Sequence, residues 1–144
     1  MRLTVYTDYS LRMLMYLAVK SDGLSTIAEV AEAYGISKAH LTKVAHQLGI
    51  AGCVETVRGR GGGLRLARPA REIGLGDVVR RTEPDMALVP CFGPEQASCP
   101  IVPACGLRGA LHEARQAFLA VLDRYSLADL VQRRTELAAL LHAA

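Results

Sequence analysis

The chain has 144 residues, 51% of them hydrophobic and 5% aromatic, with a net charge of +3. This length suits one domain, with or without a dimerisation arm. The charged residues Asp8 and Arg12 within the first apolar segment exclude a signal peptide and a membrane span, so we expect a cytoplasmic protein. The charge is uneven, because residues 38–71 hold seven Lys and Arg residues against the single acid Glu55. Such a basic surface is typical of proteins that bind nucleic acid.

The first predicted helix spans residues 7–20, where apolar side chains recur at helical spacing. Thr7 or Asp8 is expected to cap its start. A carboxylate such as that of Asp8 would ordinarily do no more there than interact with the positive end of the helix dipole. A second helix is predicted from the capping-box sequence that begins at Thr26, and Gly35 is predicted to end it.

A tight turn separates this helix from a third, for which Ser37 is the predicted N-cap and Gly49 the stop. Two short helices joined in this way form a helix-turn-helix, whose second helix enters the major groove of DNA by its N-terminal residues. Each polar side chain there would by itself indicate only a solvated surface, but their joint placement on one face indicates contact with DNA. The residues predicted to make this contact are Ser37, Lys38, His40, Thr42 and Lys43.

A basic hairpin is predicted directly after the helix-turn-helix. Residues 53–57 and 64–66 alternate as strands, and the glycine-rich stretch RGRGGG joins them. A hairpin in this position is the wing of a winged helix-turn-helix, and Arg58 and Arg60 are predicted to contact DNA from it. A phosphate-binding loop is the alternative, but the P-loop sequence pattern is missing. A short helix is predicted over residues 74–82.

Three cysteines, Cys91, Cys99 and Cys105, lie in one proline-rich stretch, CFGPEQASCPIVPAC. Five of the six prolines fall within residues 84–103, which predicts a stiff loop. No Lys or Arg occurs from residue 82 to residue 107, and thiolates without a cation of their own suit a metal ion or cluster. The wide spacing favours an iron–sulfur cluster over zinc, which usually takes close cysteine pairs. Free thiols or a disulfide remain the alternative.

A four-iron cluster needs a fourth ligand beyond these three cysteines. Cys53 lies in an apolar strand context, in which a free cysteine behaves as a small hydrophobic residue. We therefore expect Cys53 to be buried. A carboxylate or histidine from another part of the fold is the alternative to Cys53 as the fourth ligand.

The chain after the cysteines is predicted to be helical. Residues 107–125 would form one helix about 28 Å long, followed by a short helix capped by Ser126 and a helical end at residues 137–141. The regular spacing of apolar residues along the long helix indicates packing against a second copy, although packing on its own core is the alternative. The predicted dimer residues are Leu107, Leu111, Ala114, Phe118, Val121 and Tyr125.

The sequence thus predicts a mainly α fold with a small β-hairpin wing. Residues 1–82 would form a winged helix-turn-helix, residues 83–106 a cysteine-rich cluster-binding loop, and residues 107–144 a long dimerisation helix with C-terminal helices. The histidines lack partners at a spacing typical of catalysis, so an enzyme is not expected. An iron–sulfur electron-transfer protein would use the same loop, but it would not need a basic wing.

The order of wing, cysteine triplet and long helix resembles the Rrf2 family of winged-helix repressors over the whole chain. The resemblance is carried by MRLTVYTDYSLRMLMYLA, VRGRGGGLRL, CPIVPACGLRGAL and YSLADLV, and it is strongest to members that sense nitric oxide. It implies a homodimer that binds a palindromic operator. Loss or nitrosylation of the cluster would release the operator and allow expression of nitric oxide detoxification genes.

The resemblance also implies a 4Fe-4S cluster held by Cys91, Cys99 and Cys105, with Asp8 of the partner subunit as the fourth ligand. A regulator of cluster assembly or a redox sensor with a 2Fe-2S cluster is the alternative within the family. The cluster-assembly branch has a histidine three residues after the last cysteine. Arg108 occupies that position here, so that ligand set is not reproduced, and the gap between the first two cysteines is wider than in several relatives.

Overall fold

The structure is a computed structural model that describes residues 1–20, 22–93 and 99–142. The helices are α1 (Val5–Val19), α2 (Ile27–Tyr34), α3 (Lys38–Ile50), α4 (Leu75–Thr82), α5 (Gly106–Leu122), α6 (Leu127–Leu130) and α7 (Arg134–Leu141). Strands β1 (Val54–Val57) and β2 (Gly63–Leu66) form an antiparallel hairpin between α3 and α4. The predicted mainly α fold with a small β-hairpin wing is confirmed. The stiff loop predicted around the cysteines includes residues 94–98, which lie outside the described residues.

The N-terminal end of α1 is fixed by a contact from far along the chain. Thr4 is the N-cap, and its hydroxyl accepts a hydrogen bond from the Thr7 N–H at 3.2 Å. The Glu83 carboxylate accepts a hydrogen bond from the Thr4 N–H at 2.7 Å. The prediction that Thr7 or Asp8 caps this helix was wrong, because this tertiary contact stabilises a start two residues before Thr7.

The helix-turn-helix has the predicted boundaries at its turn. Thr26 caps α2 in a complete capping box with Glu29, and Gly35 ends α2 with a left-handed φ of 65°. Ser37 occupies the N-cap position of α3, as predicted, but its side chain makes no capping hydrogen bond. The side chain of Ser37 is exposed, which leaves its hydroxyl available to another partner.

The chain leaves α3 later than predicted. Gly49 was expected to stop this helix, but α3 continues to Ile50. A glycine in the left-handed backbone conformation follows only after the helix, at Gly52, with a φ of 70°. The chain then enters β1, which pairs with β2 in a register that places Val54 opposite Leu66.

One hydrophobic core joins the helix-turn-helix, the wing and the C-terminal helices. Its most deeply buried side chains include Met13, Leu14, Val30, Leu41, Val44, Ile73 and Leu127. Cys53 belongs to this core with 2% of its surface exposed, so its predicted burial is confirmed. None of the helices in the described part of the chain is long and apolar enough to cross a membrane.

The end of α5 is attached to α4 by contacts that do not involve the cysteines. The Leu75 N–H donates to the Tyr125 carbonyl at 2.9 Å. The Arg80 guanidinium donates to both carboxylate oxygens of Asp123, at 2.5 and 2.7 Å. This hydrogen-bonded pair lowers the pKa of Asp123. The C-terminal end of the long helix is therefore held directly on α4 of its own chain.

Candidate DNA-binding and cluster-binding sites

Helix α3 has one buried and one exposed face. Leu41, Val44 and Leu48 are buried, and α1 and α2 pack against this helix. The polar residues lie on the opposite face. All the residues predicted to contact DNA are exposed: Ser37, Lys38, His40, Thr42, Lys43, Arg58 and Arg60. The fold thus leaves the predicted residues on α3 and on the turn of the wing accessible to a large partner.

The basic side chains of this surface differ in their pairing. Arg65, on β2, pairs with Glu55 across the hairpin at 2.9 Å. Among the ion pairs of the described residues, none involves Lys38, Lys43 or Arg60. A cation without a carboxylate partner is available to pair with a DNA phosphate group. Lys38, Lys43 and Arg60 thus combine an unpaired charge with a position predicted to bind DNA.

Helix α1 contacts the exposed face of α3 through an aromatic pair. The centroids of the Tyr9 and His40 rings are 6.1 Å apart, with the planes tilted by 41°. Tyr9 directly follows Asp8, the predicted cluster ligand. Asp8 itself is half-exposed and pairs with Arg12 at 3.1 Å. Asp8 is therefore the sequence neighbour of a residue that contacts the recognition helix.

The cysteines of the loop are free and half-buried. Cys91 lies in a 3-10 turn formed by Pro90–Phe92, and Cys105 is the N-cap of α5. The Arg108 backbone N–H donates to the Cys105 sulfur at 3.4 Å. Helix N-termini attract negative charge, and cysteine is negatively charged when it binds a metal. Cys105 thus occupies a position suited to a metal ligand.

The donor chemistry of the loop fits an iron–sulfur cluster, for which cysteine sulfur is the usual ligand. An open cavity of about 580 Å³ lies beside Cys105, and the described residues that line it include no carboxylate. Within the described parts of the chain, no three Cys, His, Asp or Glu side chains are placed together to hold a metal ion. The ligand set predicted from the sequence therefore stays a prediction. The described lining of this cavity provides no carboxylate, so the predicted ligand Asp8 would have to reach the cysteines from the partner subunit.

Most of the apolar stripe on α5 is not covered by its own chain. Leu107 is 65% exposed, Val121 43% and Tyr125 44%, whereas Leu119, which was not predicted, is buried. The other predicted dimer residues are half-buried (Leu111, Phe118) or exposed (Ala114). The predicted helix was too long, because α5 ends at Leu122 and the Tyr125 carbonyl turns to accept the hydrogen bond from α4.

A helix-turn-helix, a basic wing and a long helix with an uncovered apolar stripe together define a winged-helix, DNA-binding transcriptional regulator. The chain belongs to the Rrf2 family, described as iron-dependent transcriptional regulators, which matches residues 3–133. The resemblance inferred from the sequence motifs is thereby confirmed.

Two relatives are similar over almost the whole chain. The HTH-type transcriptional regulator NsrR of Bacillus subtilis is 52% identical over 98% of this chain and 97% of its own length. NsrR of Shouchella clausii is 51% identical over 98% of this chain and 95% of its own length.

Solved structures share the fold at lower identity. CymR, the global cysteine regulator of Bacillus subtilis, has a TM-score of 0.75 at 25% identity and covers 92% of this chain and 98% of its own. The IscR protein of T. potens has a TM-score of 0.74 at 25% identity and covers 92% of this chain and 88% of its own.

Proposed function

We propose that the protein is a homodimeric repressor that binds palindromic operator DNA and senses nitric oxide through an iron–sulfur cluster. One observation carries the proposal: an exposed basic helix-turn-helix and wing occur in the same chain as three free cysteines in the loop before α5, a helix with a partly uncovered apolar stripe. The protein acts by binding and not by catalysis, and its partner, chromosomal DNA, places it in the cytoplasm.

The uncovered stripe of α5 supports the homodimer. Two such helices packed along their length would bury apolar side chains, such as Leu107 and Val121, that one chain leaves in water. A twofold axis along this contact would present two recognition helices to two half-sites of a palindrome. These half-sites lie roughly 34 Å apart when they occupy successive turns of the major groove.

The proposed ligands are Cys91, Cys99 and Cys105 of one protomer and Asp8 of the partner subunit, with a 4Fe-4S cluster favoured. Such a cluster supplies iron to which nitric oxide, a small neutral molecule, binds. A carboxylate is a harder and weaker ligand for iron than a thiolate. Asp8 is therefore the ligand most easily given up.

The contacts between α4 and the end of α5 support a control that acts between the two protomers. Because Arg80 and Asp123 already tie α5 to the DNA-binding unit of its own chain, a bond through Asp8 would act between protomers. It would join the loop of one protomer to α1 of the other, where Tyr9 contacts His40 on the recognition helix. Release of Asp8 would then alter the separation of the two recognition helices, and operator affinity would fall.

The test uses protein purified without oxygen and titrated with nitric oxide, with an operator gel shift on each sample. The expected protein is brown, and its operator affinity falls as nitric oxide is added. Equal operator affinity before and after nitric oxide would refute the proposal. A Mössbauer spectrum separates 4Fe-4S from the second candidate, a 2Fe-2S redox or cluster-assembly regulator.

Replacement of Lys43 or Arg60 by Ala is expected to weaken operator binding. Each variant should lower the slope of log affinity against log salt concentration by about one unit, because each lost phosphate contact releases about one counterion fewer. Arg133→Ala is the control, since this exposed arginine pairs with Glu136 near the start of α7 and its loss should leave the slope unchanged. Slopes equal to wild type in both test variants would mean that neither side chain contacts phosphate.

Asp8→Ala is expected to give a folded protein with a labile or converted cluster. The fold should survive because the exposed pair of Asp8 with Arg12 contributes only about 0.5 kcal/mol or less. Mixed dimers test the exchange of ligands between protomers. A dimer of one Asp8→Ala chain and one Cys105→Ala chain should retain one intact cluster, because the cysteines of the first chain meet the aspartate of the second. A mixed dimer without any stable cluster would show that Asp8 does not act across the interface.

A further inference from the structure

Phe92, the residue after Cys91, packs against the N-terminal part of α5. The Arg115 guanidinium carbon lies 4.9 Å from the centroid of the Phe92 ring, and that of Arg108 lies 6.0 Å from it. The His112 ring meets the Phe92 ring edge-on, with 6.3 Å between centroids and 85° between planes. Residues spaced four and three apart share one face of a helix. Arg108, His112 and Arg115 therefore contact the Phe92 ring from one face of α5.

Within the described residues, both arginines meet the Phe92 ring and neither pairs with a carboxylate. Among the ion pairs of the described residues, none involves Arg108 or Arg115. Arg115 Nη2 lies 3.2 Å from His112 Nδ1, which orients the Arg115 guanidinium. Arg108 Nε is buried without a hydrogen-bond partner in this part of the structure. The face of Phe92 is the contact that the two guanidinium groups share among the described residues.

The same contacts connect two of the loop cysteines. The Phe92 and Gly93 N–H groups donate to the carbonyls of Val89 and Pro90, each at 3.0 Å, so the ring is fixed to the turn that carries Cys91. Arg108 binds the Cys105 sulfur through its backbone N–H at 3.4 Å and the ring through its guanidinium. One residue thus touches both ends of the cysteine loop. The loop has no cation of its own, and the fold supplies two from α5.

We infer that Phe92, Arg108 and Arg115 form a clamp that keeps the Cys91 turn against the Cys105 end of α5 in the metal-free protein. Two of the three cysteines are then positioned before a cluster is present, so the chain offers a partly formed site. The role of the cysteines as ligands rests on the proposed function. The clamp itself is a property of the chain alone.

The clamp is tested first in protein treated with a chelator, by NMR hydrogen exchange at the Gly93 N–H. Phe92→Leu keeps an apolar side chain but removes the aromatic face, and it should lower the protection of Gly93 about tenfold, since two cation–π contacts are lost. Phe92→Tyr keeps both contacts and should match wild type. Phe92 lies outside the hydrophobic core, so these variants are expected to fold.

Charge-matched variants separate the clamp from the net charge. Arg115→Gln should lower the protection of Gly93 about threefold, because one cation–π contact is lost. Arg124→Gln removes the same charge beyond the C-terminal end of α5 and should change nothing. Wild-type protection of Gly93 in both Phe92→Leu and Arg115→Gln would overturn the clamp.

The second measurement is the rate at which metal-free protein takes up iron and sulfide, followed by absorbance. Phe92→Leu should load several-fold more slowly than wild type, and Phe92→Tyr and Arg124→Gln should load normally. A wild-type protein that takes up no cluster would refute the proposed function, and the clamp would then be judged on hydrogen exchange. Loading of Phe92→Leu at the wild-type rate would show that the clamp does not position the cysteines for a cluster.

Discussion

Cys105→Ala is expected to yield a folded but colourless protein that binds the operator at least about tenfold more weakly, approaching non-specific affinity. Cys105 is the N-cap of α5, and its sulfur accepts the Arg108 N–H, so the substitution removes a proposed ligand at the junction of loop and helix. The remaining affinity should not change with nitric oxide. Iron content, absorbance and gel shifts with and without nitric oxide measure these effects.

Cys53→Ala is the matched control for that variant. Cys53 is 2% exposed and belongs to the hydrophobic core, away from the loop. The Cys53→Ala protein should keep its colour, its iron and its response to nitric oxide, with at most a modest loss of stability from the smaller side chain. A Cys105→Ala protein with the iron content and nitric oxide response of wild type would remove Cys105 from the ligand set.

Gly62→Ala is expected to have the largest effect of any single substitution in the wing. A Cβ at this position would collide with the Val57 carbonyl oxygen and lie 2.9 Å from the Gly59 carbonyl oxygen. Both atoms are backbone, so the turn itself would have to move. Arg58 and Arg60 lie in this turn, and we expect operator affinity to fall about tenfold or more when both are displaced.

Gly49→Ala is the control for the wing variant. A Cβ there would have its nearest neighbour at an ordinary distance, the Val54 carbonyl oxygen at 3.8 Å. Because Gly49 lies within α3, alanine should leave operator affinity unchanged and raise the free energy of unfolding by about 0.5–1 kcal/mol. A fluorescence-anisotropy titration with operator DNA compares the two variants. Equal affinity of Gly62→Ala and wild type would show that the wing does not contribute to binding.

The sequence predicted best those features that depend on neighbouring residues. The capping box at Thr26 and the cap at Ser126 are both present, since each pattern lies within four residues. The left-handed glycine at Gly35 and the hairpin of the wing follow from equally local turn chemistry. The spacing of apolar residues on α3 also predicted which face is exposed, because a helix repeats about every 3.6 residues.

Two errors, the start of α1 and the end of the long helix, arose where a distant part of the chain decides the boundary. Thr4 replaced Thr7 and Asp8 as the cap of α1 because Glu83 binds its N–H. The long helix ended before Tyr125 because the carbonyl of that residue pairs with Leu75 in α4. In each of these two pairs, the residues lie far apart in the sequence. Helix propensity and periodicity alone therefore extended or shifted these boundaries.

By itself, the sequence determined the order of helices and wing, the basic face, the cysteine triplet and membership of the Rrf2 family. These features depend on residue type and short-range spacing, which the chain carries before it folds. Only the tertiary structure decided that the end of α5 is attached to α4 through Arg80 and Asp123, and that two arginines of α5 contact Phe92 beside Cys91. Such contacts depend on how the helices pack in three dimensions, which no local pattern specifies.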